Sequence, residues 1–477
     1  MAKKQPLRKV DCLTCDEGGG FPVRGDGFSR RNFLRYAGTG LVASYFADVL
    51  NPNLLYGATS AAGVVASLHN TAKNCIFIFL AGAPSHTDLW DLKEGSWTPS
   101  DFAPASYANG TIRFPRGLMP KTAEQIDKIS FIRSGLAWAA VHPLAQQWTQ
   151  ISRSPTGATG AIAPHIGAVV AIESQLKRTP ADVLPAFIAL NSGGIPTSGY
   201  LPARYAPFGV TTAATGLSFL DHPEGAARFS TRWNQLHSVD TNRTTGGLGK
   251  KSTDMNDLYD QAKGLMDDPG VDALFSFNAA DRMRYGSSTF GDGLLVAKQL
   301  VGGRKGARFV QVTSGGWDHH SDIYDKAVPN SLYGKCAEFD PAYAALLADL
   351  STTPGATPGK TLLDETLVVV LGEFGRTVGQ LSGQGGRDHF LRFSAMMAGG
   401  GVKGSRVIGK TDSLGDKVVE HGWSENRDVR PEDITCTIYS ALGVDYTIMR
   451  TDDPLGRGFE YVPYAKDGGY KPIEELF

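Results

Sequence analysis

Short runs of consecutive apolar residues recur along the chain, each with the length of one buried β-strand. The runs are CIFIFL (75–80), ISFIR (129–133), LPAFIAL (184–190), ARFVQV (307–312), TLVVVL (366–371) and RFSAMMA (392–398). Strands that are apolar on both faces are typical of a parallel sheet that helices cover on both sides. The pattern therefore predicts a mainly parallel central sheet.

Between these runs, apolar residues recur at intervals of three and four, which is the period of a helix with one buried face. This spacing predicts helices over residues 161–176, 337–350 and 432–443. Alternation of such helices with buried strands predicts the α/β class.

The composition adds limits to this picture. The 477 residues are 42% hydrophobic and 20% charged, which is ordinary for a soluble globular protein. A formal net charge of −1 gives no support for a nucleic-acid partner. We expect one large domain over residues 67–477, interrupted by a polar, glycine-rich and then helical insertion around residues 238–285.

The N-terminal segment 1–66 has the features of an export signal. Arg30 and Arg31 precede Phe33 and Leu34, a mildly apolar run follows, and small residues come next in YGATSAAG. This order predicts a twin-arginine signal, and hence a periplasmic or extracellular protein that the twin-arginine machinery carries already folded. Two outcomes stay open: cleavage near residues 58–66, or retention of the segment as a membrane tether.

Polar side chains follow several of the predicted strands directly. In open parallel sheets, ligands bind beyond the carboxyl ends of the strands. The candidate residues in these segments are Ser85, His142, Asp318, His320, Glu373, Arg376, Arg387, Asp388 and His389. Histidines are concentrated in the same segments, which indicates a polar site at one edge of the sheet.

The segment SGGWDHHSD (314–322) carries the clearest metal-ligand pattern. Imidazole and carboxylate groups suit borderline divalent metals. Residues two apart in an extended segment point the same way, so we expect Asp318 and His320 to act together and His319 to face elsewhere. Each motif also has an ordinary interpretation: Asp318 as a helix cap, and Glu373 as an ion-pair partner of Arg376.

Taken together, carboxylates and histidines from several strand ends indicate a metallohydrolase, in which divalent metals polarise a phosphoryl or sulfuryl oxygen and lower the pKa of a water. Arg376 or Arg387 would bind the substrate oxyanion. A metal-bound water or Ser85 would attack the ester.

Five segments, GAPSHTDLWDLKEG, DKISFIRSG, GGWDHHSD, LGEFGRT and GRDHF, occur in the order of the motifs of the bacterial domain-of-unknown-function family 1501. The resemblance covers residues 74–449. It implies the alkaline phosphatase and sulfatase superfamily, with a three-layer α/β/α sandwich around a mostly parallel sheet. It also implies that Asp318 and His320 form an Asp-His metal element and that His389 is a late histidine ligand. Glu373 falls where the superfamily often has an Asp-His pair, so we expect it to be a metal ligand as well, and Asp388 is a further candidate ligand.

The sequence departs from the superfamily pattern at two places. Ala81 and Gly82 stand where an aspartate usually ends the first strand, and the cysteines lack the Cys-x-Pro-x-Arg context of a sulfatase. Ser85, Ser134 or His142 would have to replace the usual nucleophile.

Two functions follow as hypotheses. One is an exported hydrolase of small phosphate or sulfate esters that uses zinc, manganese, iron or calcium. The other is an inactive binding or structural protein on the same fold, serving as a subunit of an envelope or extracellular assembly.

Overall fold

A computed structural model describes residues 65–218, 220, 222–239 and 248–477 of the chain. The predicted twin-arginine segment lies outside these residues, as does part of the predicted insertion. Within the described residues, no helix combines the length and the apolar composition that a membrane crossing requires.

The chain forms sixteen strands in its described part, most of them short. Their bounds are β1 Asn74–Leu80, β2 Ala105–Tyr107, β3 Ile112–Phe114, β4 Ile129–Leu136, β5 Phe187–Leu190, β6 Phe208–Val210, β7 Phe309–Ser314, β8 Thr366–Leu371, β9 Gly375–Arg376, β10 His389–Phe390, β11 Arg392–Ala398, β12 Val407–Ile408, β13 Lys410–Thr411, β14 Val418–Glu420, β15 Met449–Arg450 and β16 Phe459–Glu460.

The central sheet has eight strands in the order β12-β4-β11-β8-β1-β7-β5-β6. Its middle strand, β1, pairs in parallel with both β7 and β8. Among the described strands of this sheet, β11 alone runs against the others, pairing antiparallel with β4 and β8. The prediction of a mostly parallel sheet is confirmed, and all six predicted strands lie in it. The edge strands β6 and β12 were not predicted, because two or three residues carry too little apolar pattern.

The α-helices connect these strands and cover both faces of the sheet. Their bounds are α1 Pro120–Ala123, α2 His142–Ile151, α3 Ala158–Ala161, α4 Ile166–Ser174, α5 Ala226–Val239, α6 Lys250–Asp267, α7 Asp272–Phe275, α8 Ala279–Arg284, α9 Thr289–Gly303, α10 Leu332–Thr352 and α11 Pro431–Leu442. Short 3-10 helices add His86–Asp88, Ser100–Phe102, Ala108–Gly110, Ile126–Lys128, Gln175–Lys177, Ala203–Tyr205, Ala465–Asp467 and Glu474–Leu476.

Side chains of β1 alternate between two buried apolar cores, one on each face of the sheet. Ile76 and Ile78 join the core that also contains residues of α9 and α10. Phe77 and Phe79 join the core that contains residues of α4 and α11. Since both faces are buried, the structure is a three-layer α/β/α sandwich. Burial on both faces also explains why the strands are apolar at consecutive positions.

The predicted helix over residues 161–176 is wrong at its start, where the structure has a break between α3 and α4. Pro164 disfavours helical backbone at the residue before it. The chain restarts at Ile166, where the side chain of His165 accepts a hydrogen bond from the Gly167 amide at 2.9 Å.

Glu365, directly before β8, offers a test of how the start of the central strands is held. Its buried carboxylate accepts hydrogen bonds from Lys73 Nζ at 2.6 Å and from the amides of Ala356 and Thr357. Burial alone would raise the pKa of Glu365, but these hydrogen bonds outweigh it and lower the pKa to about 2.

We therefore expect Glu365→Gln to lower the free energy of unfolding by about 1.5–3 kcal/mol at neutral pH, the usual range for hydrogen bonds to a charged group. A depressed pKa stabilises the fold above the unfolded value near 4.5, and this contribution is lost as the pH falls towards 2. Denaturant unfolding of both proteins from pH 7 to pH 3 measures this. A stability difference that does not shrink at acid pH would contradict the assignment.

Candidate metal centre

Five segments meet at one edge of the central sheet, the edge formed by the carboxyl ends of its parallel strands. Strands β4, β1, β7 and β8 end there, and the antiparallel strand β11 begins there. The segments place His142 at the start of α2, Asp318 and His320 after β7, and His389 just before β11. The sheet topology therefore brings together polar residues that are up to 247 positions apart in sequence, from His142 to His389.

Four side chains form a compact cluster at this edge, with one ligand atom from each within 4.8 Å of the others: His142, Asp318, His320 and His389. Oδ1 of Asp318 lies 3.2 Å from His142 Nε2, 3.0 Å from His320 Nε2 and 3.9 Å from His389 Nε2. The Nε2 atoms of His320 and His389 are 3.0 Å apart. These are three nitrogens and one carboxylate oxygen directed at one small volume.

The other nitrogen of each imidazole faces an oxygen atom. Nδ1 of His142 lies 2.6 Å from Glu373 Oε1, Nδ1 of His320 lies 3.0 Å from Asp388 Oδ1, and Nδ1 of His389 lies 2.7 Å from the Ala140 carbonyl. An oxygen acceptor requires hydrogen on Nδ1, so Nε2 carries the free lone pair in the neutral ring.

Three lone pairs and a carboxylate oxygen would repel one another at these distances unless a cation or a proton lies among them. Metal-binding histidines characteristically donate their second N–H to an oxygen in this way. The residues present therefore fit a divalent metal ion.

Charges around the cluster shift the pKa values of its members. Burial lowers the pKa of His142, but the hydrogen bond to Glu373 and the charge of Asp318 outweigh it, so the net shift is upward. Burial and neighbouring positive charges lower the pKa of His389. Burial raises the pKa of Asp318, but the hydrogen bond from Arg376 and its charge outweigh burial, so the net shift is downward. These shifts favour the ionised form of Asp318 and the neutral form of His389, the states in which each binds a metal, whereas the shift of His142 favours its protonated form in the absence of a metal.

Arg376, predicted as an oxyanion ligand, is fully buried behind the cluster. Its Nη2 donates to Asp318 Oδ1 at 2.5 Å and to the Gly82 carbonyl, and its Nε donates to the Ala83 carbonyl. Nη1 donates to the Arg387 carbonyl at 3.1 Å and lies 3.5 Å from His320 Nε2. All five N–H groups of the guanidinium are directed at protein atoms, so the structure places Arg376 as the partner of Asp318.

Arg387, the second predicted oxyanion ligand, is also fully buried and pairs with Asp88. Nε and Nη2 donate to the two Asp88 oxygens at 2.7 and 3.0 Å, and Nη1 donates to the carbonyls of Thr377 and Gly379. Nη2 also reaches the Tyr324 hydroxyl at 3.2 Å. This network joins the loop after β1 to the segment before β11.

The remaining predicted site residues lie around the cluster. Glu373 is buried and contacts His142, while Asp388 is exposed and contacts His320. Ser85 is fully buried before the 3-10 helix His86–Asp88, and its hydroxyl has no hydrogen-bond partner among the described residues. None of these three belongs to the four-residue group, whereas His142, predicted as catalytic, does.

Sequence reasoning missed Gln146, whose Nε2 donates to Glu373 Oε1 at 2.9 Å. The sequence did contain a pattern that could have identified Gln146, because it lies four residues after His142, on the same face of α2. The Ala140 carbonyl that contacts His389 left no such signal, because a backbone oxygen has no sequence signature.

The sequence matches the family described as Protein of unknown function (DUF1501) over residues 72–467. The chain belongs to this family. The resemblance expected from the five motifs is thereby confirmed. Among curated proteins, none matches the chain.

Solved structures to which the chain is similar include Ps i-CgsB in complex with k-i-k-neocarrahexaose, at 10% identity and a TM-score of 0.40, covering 84% of this chain and 79% of that one. The lipoteichoic acid synthase LtaP from Listeria monocytogenes matches at 12% identity and a TM-score of 0.38, covering 83% and 77%. A protein in the alkaline phosphatase superfamily from Vibrio parahaemolyticus matches at 11% and 0.35, covering 80% and 69%. Similarity at this level assigns no activity to this chain.

The buried pair of Arg387 and Asp88 gives a prediction that separates a structural role from substrate binding. We expect Arg387→Met to lower the free energy of unfolding by about 3–5 kcal/mol, because Asp88 would be left buried without its cation. Denaturant unfolding measures this.

The double variant Arg387→Met, Asp88→Leu serves as the control, since removing both charges should restore part of the lost stability. If Arg387→Met unfolds like the wild type, the pair does not hold these two segments together.

Proposed function

We propose that this protein is a metal-dependent hydrolase of phosphate or sulfate esters, with its metal held by His142, Asp318, His320 and His389. The observation that carries the proposal is the convergence of three Nε2 atoms on Asp318 Oδ1, each ring being oriented by an oxygen at Nδ1.

The donor set narrows the choice of metal. Calcium and magnesium favour oxygen ligands, whereas imidazole nitrogen suits zinc, iron and manganese better. Three nitrogens and one oxygen therefore favour a first-row transition metal over calcium. Such an ion, when bound, supplies a Lewis acid that polarises an ester oxygen and lowers the pKa of a water.

The chain's own residues set up the remaining features of the proposed site. The side chains of Asp318 and His320 are each 43% exposed, so an ester can reach the cluster from solvent. Ser85 is buried, which favours water over this serine as the attacking group. Arg376 holds Asp318 at 2.5 Å, which keeps the carboxylate ionised and turned towards the imidazoles.

We also propose that the protein is exported through the twin-arginine machinery. The order of Arg30, Arg31, Phe33 and Leu34 before an apolar run supports this. We expect the double variant Arg30→Lys, Arg31→Lys to stay in the cytoplasm, because the export receptor reads the arginine pair and not its charge alone. Cell fractionation and immunoblotting measure this, and unchanged export of the variant would contradict the proposal.

Metal analysis of purified protein is the direct test of the proposed site. We expect about one equivalent of a transition metal in the wild type and its loss in the double variant His320→Ala, His389→Ala, since two of the four donors are removed. Hydrolysis of a panel of phosphate and sulfate esters should disappear with the metal and after chelation.

His319→Gln is the matched control, because His319 lies in the same segment but its Nε2 contacts the Asn330 carbonyl at 2.8 Å instead of the cluster. This variant should keep its metal and its activity. A wild-type protein without metal and without activity on the panel would contradict the proposal. Stoichiometric metal without hydrolysis would instead favour the alternative of a binding or structural protein on this fold.

A further inference from the structure

We infer that Glu373 is a positioning residue of the metal centre, which holds His142 directly and Asp318 through Gly82. The inference rests on the proposed function, since the side chains that Glu373 positions are the proposed metal ligands. It replaces the expectation that Glu373 is itself a ligand.

Three hydrogen bonds hold the Glu373 carboxylate. Oε1 accepts from Nδ1 of His142 at 2.6 Å, from Nε2 of Gln146 at 2.9 Å and from the amide of Gly82 at 3.0 Å. Three N–H groups around one oxygen leave it no lone pair for a metal ion. These contacts join the first turn of α2 and the loop after β1 to the end of β8.

The burial of Glu373 makes these hydrogen bonds important for its stability. The Glu373 side chain is enclosed, and Oε2 finds no hydrogen-bond partner in the described part of the chain. A buried carboxylate with one unpartnered oxygen needs strong compensation at the other. The imidazole N–H of His142 contributes to it at the shortest of the three distances, which fixes the ring and leaves Nε2 free to bind metal.

Gly82 links the same carboxylate to Asp318. Its backbone has a φ of +109°, and a Cβ at this position would lie 2.6 Å from the Asp318 amide nitrogen. The loop after β1 therefore packs directly on the backbone that carries Asp318, with the Gly82 amide bound to Glu373 and the Gly82 carbonyl bound to Arg376. Only glycine fits this contact.

Cobalt(II) is a suitable probe, because its visible absorption reports both affinity and donor set. We expect Glu373→Leu to weaken Co²⁺ binding about 10–100-fold, the usual effect of removing the partner of a metal-binding histidine. Glu373→Gln keeps an acceptor for His142 and should lose less. The band positions should not change in either variant, since the four donor atoms remain.

Glu365→Gln is the matched control. Glu365 is a buried glutamate at the opposite end of β8, and its substitution should lower stability without changing Co²⁺ affinity. Unchanged affinity in both Glu373 variants would overturn the inference, and so would shifted absorption bands, which would make Glu373 a ligand.

A second measurement tests the positioning role without metal. Nitrogen-15 spectra of histidine-labelled, metal-free protein, recorded at a pH high enough for the His142 ring to be neutral, should show hydrogen on Nδ1 in the wild type and a mixture of the two neutral forms in Glu373→Leu. An identical His142 spectrum in both proteins would overturn the inference. If the wild type binds no Co²⁺, the proposed function fails, while this spectrum still decides whether Glu373 positions His142.

Discussion

The arrangement of the candidate metal centre depends on the hydrogen bonds of the buried Arg376 guanidinium. It donates to carbonyls in the loop after β1, to Asp318 after β7 and to the carbonyl of Arg387 before β11. A buried cation is costly unless oxygens surround it. Because its oxygens come from different strand ends, the charge stabilises the packed state only when all these segments are in place.

Two glutamates that flank β8 show how the two ends of one strand serve stability and the candidate chemistry. Glu365 ties the start of the strand to Lys73 and to the loop before it. Glu373, past the other end, ties α2 and the loop after β1 to the candidate metal ligands. The same chemical group thus holds a loop at one edge of the sheet and contacts the His142 imidazole at the other, where the candidate ligands lie.

The apolar pattern predicted the fold well and the site in part. Uninterrupted runs such as TLVVVL gave a strand whose bounds the structure reproduces, because burial on both faces leaves a signal in every residue. Asp318, His320 and His389 were predicted as metal ligands on motif order, and the structure places all three in the cluster. His142 was predicted near the site but in another role, since nothing local to His142 shows that its Nδ1 meets a glutamate 231 residues away.

By itself, the sequence determined the class of the fold, the edge of the sheet where polar residues gather, and membership of a family through five ordered motifs. Each of these depends on features that are local in sequence: apolar runs, helical spacing of apolar residues, and short motifs. Only the tertiary structure decided which polar residues share the cluster and which lie behind it. Arg376, Arg387 and Glu373 look like site residues in sequence, yet burial and hydrogen-bond partners from distant segments engage their polar atoms within the protein. The role of a charged side chain follows from the groups that meet it, and folding alone determines those groups.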